Sequence, residues 1–375
     1  MAEPLRIVLT GGVSGGHTFP LIAVAEQISA QTGGNVEFLF IGPKGRFGAG
    51  AMEERGIPVR LVSTGKLRRY FSLQNFIDPF LIPIGCIQSL WYLYQFLPDA
   101  VFSKGGSASV PVVLAAWLYR IPVLIHDSDA VAGMANKFMG RFATKVAIAY
   151  PTAREFFPSE KVALTGNPVR ADILDGQRER GYQELGLDPA KKTLFVIGGS
   201  LGATRLNEAL LQILPQLLKE NIQVVHQTGE EHFARIESAV KEYGITPDGA
   251  TGYIPKAFLS AELLGDVYAL ADIVISRAGA GSIAELAAHG KTCILVPLSS
   301  AANDEQKKNA YAIAHIGGAS VLEEPNLTEH ILLQELHELL ADEVRSQKMS
   351  EAIRAFYHPD AALMLAQGVF SMIKK

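Results

Sequence analysis

Cysteine is almost missing from this chain of 375 residues: Cys86 and Cys293 are its only two, and both lie in apolar runs. That argues against a disulfide framework or a cysteine-rich metal site and reads as buried thiols of a reducing compartment. The first residues, MAEPLRIVLT, have neither the charged start nor the long apolar stretch of a secretory signal, so a cytoplasmic protein is expected. The net charge is only −4, from 34 Lys+Arg against 38 Asp+Glu, and no nucleic-acid partner is expected. The charge is uneven, however. Residues 1–165 hold 15 basic against 11 acidic side chains, a balance of +4, and the remainder holds 19 against 27, a balance of −8. Such asymmetry suits a first half that meets something anionic, and chance scatter gives the same number.

What is present is ordinary for a globular enzyme, 48% hydrophobic and 19% charged residues, over a length that usually divides into two domains. One unit recurs four times: an apolar run of strand length, a Gly/Ser-rich turn, then an apolar-periodic helix. Its copies are RIVLT-GGVSGGH-TFPLIAVAEQI, AVFS-KGGSASV-PVVLAAWL, TLFVI-GGSLGA-TRLNEALLQIL and DIVIS-RAGAGS-IAELAAHG. Further strands read at 36–42, 59–63, 123–126, 145–150, 223–228 and 293–297. The alternation predicts βαβ units and parallel sheets in two facing, doubly wound α/β domains. The first domain is expected over 1–165 and the second over 166–354, with a helix at about 355–375 crossing back after the break at "HPD" (358–360).

In open parallel sheets ligands bind beyond the carboxyl ends of the strands, where a turn enters a helix start with unpaired N–H groups. Glycine there lets backbone approach a phosphate. Residues 11–16 read GGVSGG, which is neither GxGxxG nor a P-loop with its Gly-Lys-Ser/Thr. One such turn means only tight packing, whereas four favour a diphosphate ligand. Arg170, after Asn167-Pro168, offers a fork of donors to phosphate, or a surface ion pair. In "SRAGAGSIAEL" the Ala280 and Gly281 amides and Ser282 can meet phosphate at a helix start. Glu285, one turn in, suits a ribose diol or simply complements the helix dipole. Gln306, with both donor and acceptor, suits sugar hydroxyls.

These motifs resemble the MurG family of GT-B glycosyltransferases. GGVSGGHTFP is similar to that family's GGGTGGHxxP, KGGSAS to its second glycine loop, and GNPVR, GGSLGA, SRAGA…E and DEQ…NA follow in its order across nearly the whole chain. The resemblance implies GlcNAc transfer from UDP-GlcNAc to undecaprenyl-diphosphoryl-MurNAc-pentapeptide in peptidoglycan synthesis, and through it a part in cell shape and division. It implies no cofactor and no metal. It places Ser14, Gly15 and Gly16 at the catalytic centre, and gives UDP-GlcNAc to Arg170, Ser200, Ile254 and the run Ala280, Gly281, Ser282, Ile283, Ala284 and Glu285, with Gln306 and Asp129 on the sugar. The chain departs from the family at HDSD (126–129) in place of His-Glu-Gln-Asn, at Leu201, and at AGS in place of ALT. The Asp127-x-Asp129 pair matches the metal-binding spacing of GT-A transferases, but helix starts and Arg170 already meet phosphate charge here.

His17 is the candidate catalytic base for the acceptor hydroxyl, or else a donor to the lipid diphosphate; Asp127 and Asp129 are rival bases. Two other functions share this architecture: a UDP-GlcNAc 2-epimerase, and a non-catalytic nucleotide-sugar-binding subunit. Residues 80–97 form an uncharged run of 18 residues preceded by Lys66, Arg68 and Arg69. Pro83, Gln88 and Gln95 argue against a span; the run suits a helix lying on an anionic membrane surface, at the cytoplasmic face, or an ordinary buried helix. Gly85, Gln88, Tyr92 and Gln95 form its expected polar stripe.

Overall fold

The structure, a computed structural model, describes residues 3–12, 14–64, 74–199 and 202–373; the side chains of residues 46, 47, 74–80 and 302 are not described. The chain forms two compact units, residues 1–170 with 358–375, and residues 171–357. Arg170, expected with the second half, is thus the last residue of the first unit before the chain leaves it.

The first unit holds β1 (Leu5–Thr10), β2 (Val36–Gly42), β3 (Val59–Leu61), β4 (Ala100–Ser103), β5 (Val123–Asp127), β6 (Lys145–Ile148) and β7 (Val162–Leu164). They pair in the order β3-β2-β1-β4-β5-β6-β7, all parallel. Its helices are α1 (Gly15–Thr32), α2 (Ala51–Glu53), α3 (Gln74–Phe96), α4 (Val110–Leu118) and α5 (Met134–Met139). The second unit holds α6 (Ala171–Leu174), α7 (Arg178–Leu185), α8 (Thr204–Lys219), α9 (Glu230–Glu242), α10 (Ala261–Leu270), α11 (Ala280–His289), α12 (Glu305–His315), α13 (Glu329–Ala341) and α14 (Glu343–Ala355). Its strands β8 (Thr193–Ile197), β9 (Gln223–Gln227), β10 (Tyr253–Lys256), β11 (Ile273–Ser276), β12 (Thr292–Leu295) and β13 (Ser320–Val321) pair in the order β10-β9-β8-β11-β12-β13, again all parallel. Both orders reverse beside the first strand of the unit, which is the doubly wound pattern with its ligand-binding switch point.

Alternation along each strand produces two core layers. In the first unit Ile7, Leu9, Phe102 and Leu124 pack with Leu21, Ile22 and Ile28 of α1 on one sheet face, and Val8, Val101 and Ile125 pack with Val112 and Val113 of α4 on the other. Each fully buried side chain of this kind contributes about 1.5–3 kcal/mol. The last helix, α15 (Ala361–Phe370), belongs to the first unit, where Leu365, Ala366 and Val369 join the α1 layer. Strands β7, β10 and β13 lack an apolar run long enough to stand out in the sequence. Pro255 fits in β10 because that strand is an edge, where a missing N–H costs no ladder bond.

Candidate functional site

In the first unit the candidate side chains gather where β1, β4 and β5 end. Ser14 is the extended N-cap of α1, yet its side chain makes no capping bond, and the first turn of α1 carries no acidic residue. Neither a cap nor a first-turn carboxylate therefore offsets the positive end of the helix dipole. The Ser14 hydroxyl instead lies 2.8 Å from His17 Nδ1. Gly15 is buried against Phe19, while a Cβ on Gly16 would meet nothing closer than Ser14 Oγ at 3.9 Å, so the backbone is accessible at Gly16.

The second glycine loop is pressed onto this one. A Cβ on Gly12 would sit 3.0 Å from His17 Nδ1, and one on Gly106 3.4 Å from His17 Nε2, so the imidazole lies between the two loops. Gly105 and Gly106 have φ of 89° and 84°, which L side chains rarely adopt. A Cβ on Gly105 would stand 2.2 Å from Asn136 Oδ1. The loop is pinned by Lys104 N–H donating to Thr10 O at 2.9 Å and by Ser109 Oγ–H donating to Gly105 O at 2.9 Å.

Lys104 is the residue the sequence reading missed. Its side chain is only 2% exposed, a rare fate for lysine. Burial pushes its ammonium down, and Asp129 and Asp127 push it back up. Burial and the Lys104 charge together push His17 down to about 4, so its imidazole is neutral at pH 7. Asp127 is also buried; burial and its neighbour Asp129 push it up to about 6. Asp127 is held at both oxygens: Oδ1 accepts from Asp129 N–H at 3.2 Å, and Oδ2 accepts from Gly133 N–H at 3.1 Å and from Asn136 Nδ2 at 2.9 Å. These bonds make Asp127 an anchor for the loop that carries Asp129. The signal for Lys104 in the sequence was its place at the head of a glycine turn, but only tertiary contact reveals the carboxylates beside it.

The Arg170 guanidinium lies 4.2 Å from the centre of the Phe19 ring in α1. The Arg170–Phe19–Gly15 stack puts the cation beside the start of α1.

In the second unit, β11 runs into α11 through Arg277-Ala278-Gly279. Arg277 is buried, pairs with Glu324 and donates to Val296 O at 3.1 Å. Asn309 Nδ2 donates to Ala278 O at 3.2 Å. The turn is thus fixed from two sides by residues that lie in the quoted motifs SRAGA and DEQ…NA but to which the sequence assigned no role. Gly279 is the N-cap of α11 and supplies no side-chain cap, and Ala280, Gly281 and Ser282 form the first turn, whose positive dipole end suits an anion. Ile283 and Ala284, expected to touch the donor, have buried side chains, and the Ile283 N–H donates to Gly279 O at 3.0 Å. Helical periodicity turns those two inward, away from the face that carries Ser282 and the partly exposed Glu285. Glu285 Oε2 accepts from the Tyr268 hydroxyl at 3.0 Å. Gln306 Oε1 accepts from Leu298 N–H at 3.0 Å, which spends that acceptor on the loop after β12. Ile254 lies in β10 in register with Val225, its side chain buried. Ser200 and Leu201 lie outside the described residues, as do Lys66, Arg68 and Arg69.

The structure decides which way the stripe of helix α3 faces, a point the periodicity left open. Its polar stripe faces inward: Gln88 Oε1 accepts from Ser63 N–H at 2.7 Å, and the Tyr92 hydroxyl donates to Leu61 O at 3.3 Å. Gly85 is buried because a Cβ there would lie 2.2 Å from Ser63 O. The outward face is apolar, with Ile84, Ile87, Trp91 and Tyr94 exposed by 46%, 68%, 56% and 62%. Gln95 stays exposed beside them. Helix α4, packed on α3, ends in exposed Trp117 and Leu118, followed by exposed Tyr119. No helix among the described residues is long and apolar enough to cross a membrane.

Two doubly wound parallel sheets, each with glycine turns entering uncapped helix starts, define an α/β fold of the GT-B class. The model of the glycosyltransferase family 28 N-terminal domain matches residues 7–148, and that of the family 28 C-terminal domain matches residues 193–364. A UDP-N-acetylglucosamine–N-acetylmuramyl-(pentapeptide) pyrophosphoryl-undecaprenol N-acetylglucosamine transferase of Bacillus cereus (strain ATCC 10987 / NRS 248) is 39% identical over 335 residues, 89% of this chain and 91% of that one. Among solved structures, MurG of Acinetobacter baumannii superimposes with a TM-score of 0.74 at 27% identity, over 98% of this chain and 100% of that one. A UDP-GlcNAc 2-epimerase of Neisseria meningitidis bound to UDP-GlcNAc reaches 0.68 at 12% identity over 98% and 100%, a likeness of fold alone. The chain belongs to the MurG family of glycosyltransferases, within glycosyltransferase family 28.

Proposed function

We propose that this enzyme transfers GlcNAc from UDP-GlcNAc to the 4-hydroxyl of undecaprenyl-diphosphoryl-MurNAc-pentapeptide, with inversion at the anomeric carbon. The observation that carries the site assignment is the uncapped start of α1 with His17 held by Ser14 and pressed between two glycine loops. A lipid diphosphate suits the open start of α1, and the nucleotide diphosphate suits the start of α11, with Glu285 for the ribose and Gln306 for the sugar.

The acceptor oxygen attacks C1 of GlcNAc, the bond from C1 to the phosphate oxygen breaks, and UDP departs with the electron pair. The acceptor proton passes to His17 Nε2. That step needs the tautomer in which Nδ1–H donates to Ser14 Oγ, leaving Nε2 with its lone pair. The opposite tautomer, with Ser14 donating to Nδ1, makes Nε2–H a donor to the diphosphate instead. Arrival of the acceptor's anionic diphosphate raises the low pKa of His17 and strengthens it as a base.

The outward apolar face of α3 and the end of α4 suit the interface of a membrane carrying the acceptor, which would place the enzyme peripherally on the cytoplasmic face, with Lys66, Arg68 and Arg69 on anionic headgroups. Incubation with UDP-GlcNAc and a short-chain lipid acceptor tests the reading: release of UDP only when acceptor is present supports it. Formation of UDP-ManNAc without acceptor would make the chain an epimerase, and binding without turnover would make it a nucleotide-sugar-binding subunit.

A further inference from the structure

Tyr268 of α10 is completely buried, and its hydroxyl donates to Glu285 Oε2 at 3.0 Å. Its ring lies edge-on to Phe195 of β8, with centroids 5.4 Å apart and an interplanar angle of 82°. The ring also stacks on His289, with centroids 5.2 Å apart and planes 18° apart. Glu285 and His289 are one turn apart on the same face of α11, so one tyrosine engages both.

His289 is itself fixed. Its Nε2 lies 3.0 Å from Ile173 O, and since a carbonyl only accepts, Nε2 carries the proton. Burial, with help from Lys291, pushes His289 down to about 4, so the imidazole stays neutral near pH 7. The Tyr268 phenol is pushed well above its ordinary range by burial and by the Glu285 charge, so it remains a donor to the carboxylate.

We propose that Tyr268 is a positioning residue for the donor site: held by Phe195 and His289, it fixes the Glu285 carboxylate in the orientation that receives the ribose hydroxyls of a uridine diphosphate donor. The inference rests on the reading of α11 as the nucleotide site. A glutamate on a helix surface has three side-chain torsions to immobilise on binding, and a buried phenol that orders it beforehand removes that cost from ligand binding.

The test combines Tyr268→Phe, Glu285→Ala and the double variant, titrated with UDP by calorimetry and assayed with UDP-GlcNAc and a lipid acceptor. Tyr268→Phe is expected to raise the UDP Kd and the KM for UDP-GlcNAc about five- to tenfold, less than the full worth of a hydrogen bond to a charged group because the bond acts only by orienting Glu285. It leaves kcat within about twofold, since the bond acts on binding and not on the reacting atoms. In the Glu285→Ala background the same change adds nothing. A Tyr268→Phe penalty that persists without Glu285, or no penalty at all, overturns the proposal. Should Glu285→Ala itself leave UDP binding intact, the reading of α11 as the nucleotide site fails first, and the proposal with it. If Tyr268→Phe is unstable, 2′,3′-dideoxy-UDP decides on the folded fraction: the penalty disappears with that ligand, and a penalty of equal size for both ligands overturns the proposal.

Discussion

His17 Nδ1 and Ser14 Oγ lie 2.8 Å apart at the first turn of α1, so the ring nitrogen aimed at Gly106 is the one whose protonation this bond decides. Replacing His17 by Ala is expected to lower kcat about a hundredfold or more if the ring takes the acceptor proton, the usual worth of a positioned base. Loss of lipid-acceptor affinity at near-normal kcat would identify the ring as the diphosphate donor. Ser14→Ala is expected to follow His17→Ala in the same parameter with a smaller effect, measured by acceptor-dependent UDP release.

Lys104 lies within electrostatic reach of His17, His126, Asp127 and Asp129, with Tyr150 beside Asp129. Its charge lowers the pKa of both His17 and Asp127. Lys104→Met is therefore expected to move the acidic limb of kcat/KM to higher pH by about one unit, whichever of those two is the base. An unchanged limb alongside a normal melting temperature would show that Lys104 has no electrostatic role in turnover.

Gly105 has φ of 89°, and a Cβ would come 2.2 Å from Asn136 Oδ1, the side chain that also holds Asp127. Gly105→Ala is expected to cost about 2 kcal/mol or more, from the left-handed backbone and the displaced amide together. Denaturant titration measures it; Gly16→Ala, where a Cβ meets only Ser14 Oγ at an ordinary 3.9 Å, serves as the control.

Stability is expected to fall as pH drops from 6.5. His17, His126, His226 and His289 all have folded pKa values lowered chiefly by burial, to about 4, well below normal, about 3 and about 4. A histidine whose folded pKa is depressed contributes stability above its unfolded pKa near 6.5, and that stability is lost as pH falls toward the folded value. Asp127, raised to about 6, acts in the opposite sense between about 3.8 and 6. At pH 5 unfolding then takes up about three protons net, four from the histidines less one from Asp127. Melting temperatures between pH 7 and 4.5 check this sign and slope.

The apolar face of α3 predicts binding to anionic vesicles. Ile87→Glu with Trp91→Glu is expected to abolish co-sedimentation while leaving turnover of a short-chain soluble acceptor within about twofold, because both side chains point away from the domain core. Retained vesicle binding would place the membrane contact elsewhere.

The repeated strand, glycine turn and helix were legible because each is a local pattern: period-two apolar strands, bare turns, and helix starts within a few residues of one another. That legibility reached the two parallel sheets, and it put Ser14, Gly15, Gly16 and His17 at one helix start and Ala280 through Glu285 at another. It did not reach the inward direction of the Ile283 and Ala284 side chains, because a motif string does not say which residues of a helix turn face the core. It left the direction of α3 open because Gly85 and Gln88 answer to Ser63, more than 20 residues away.

What the sequence alone determined was the architecture and the chemical character of the turns, since propensity, periodicity and glycine's freedom act over short stretches. Only the tertiary structure decided that Lys104 is buried near Asp127 and Asp129, that Arg170 stacks on Phe19, and that Tyr268 holds Glu285. Those relations join residues that lie far apart along the chain, and burial together with charge pairing across such distances is set by packing, which no local pattern records.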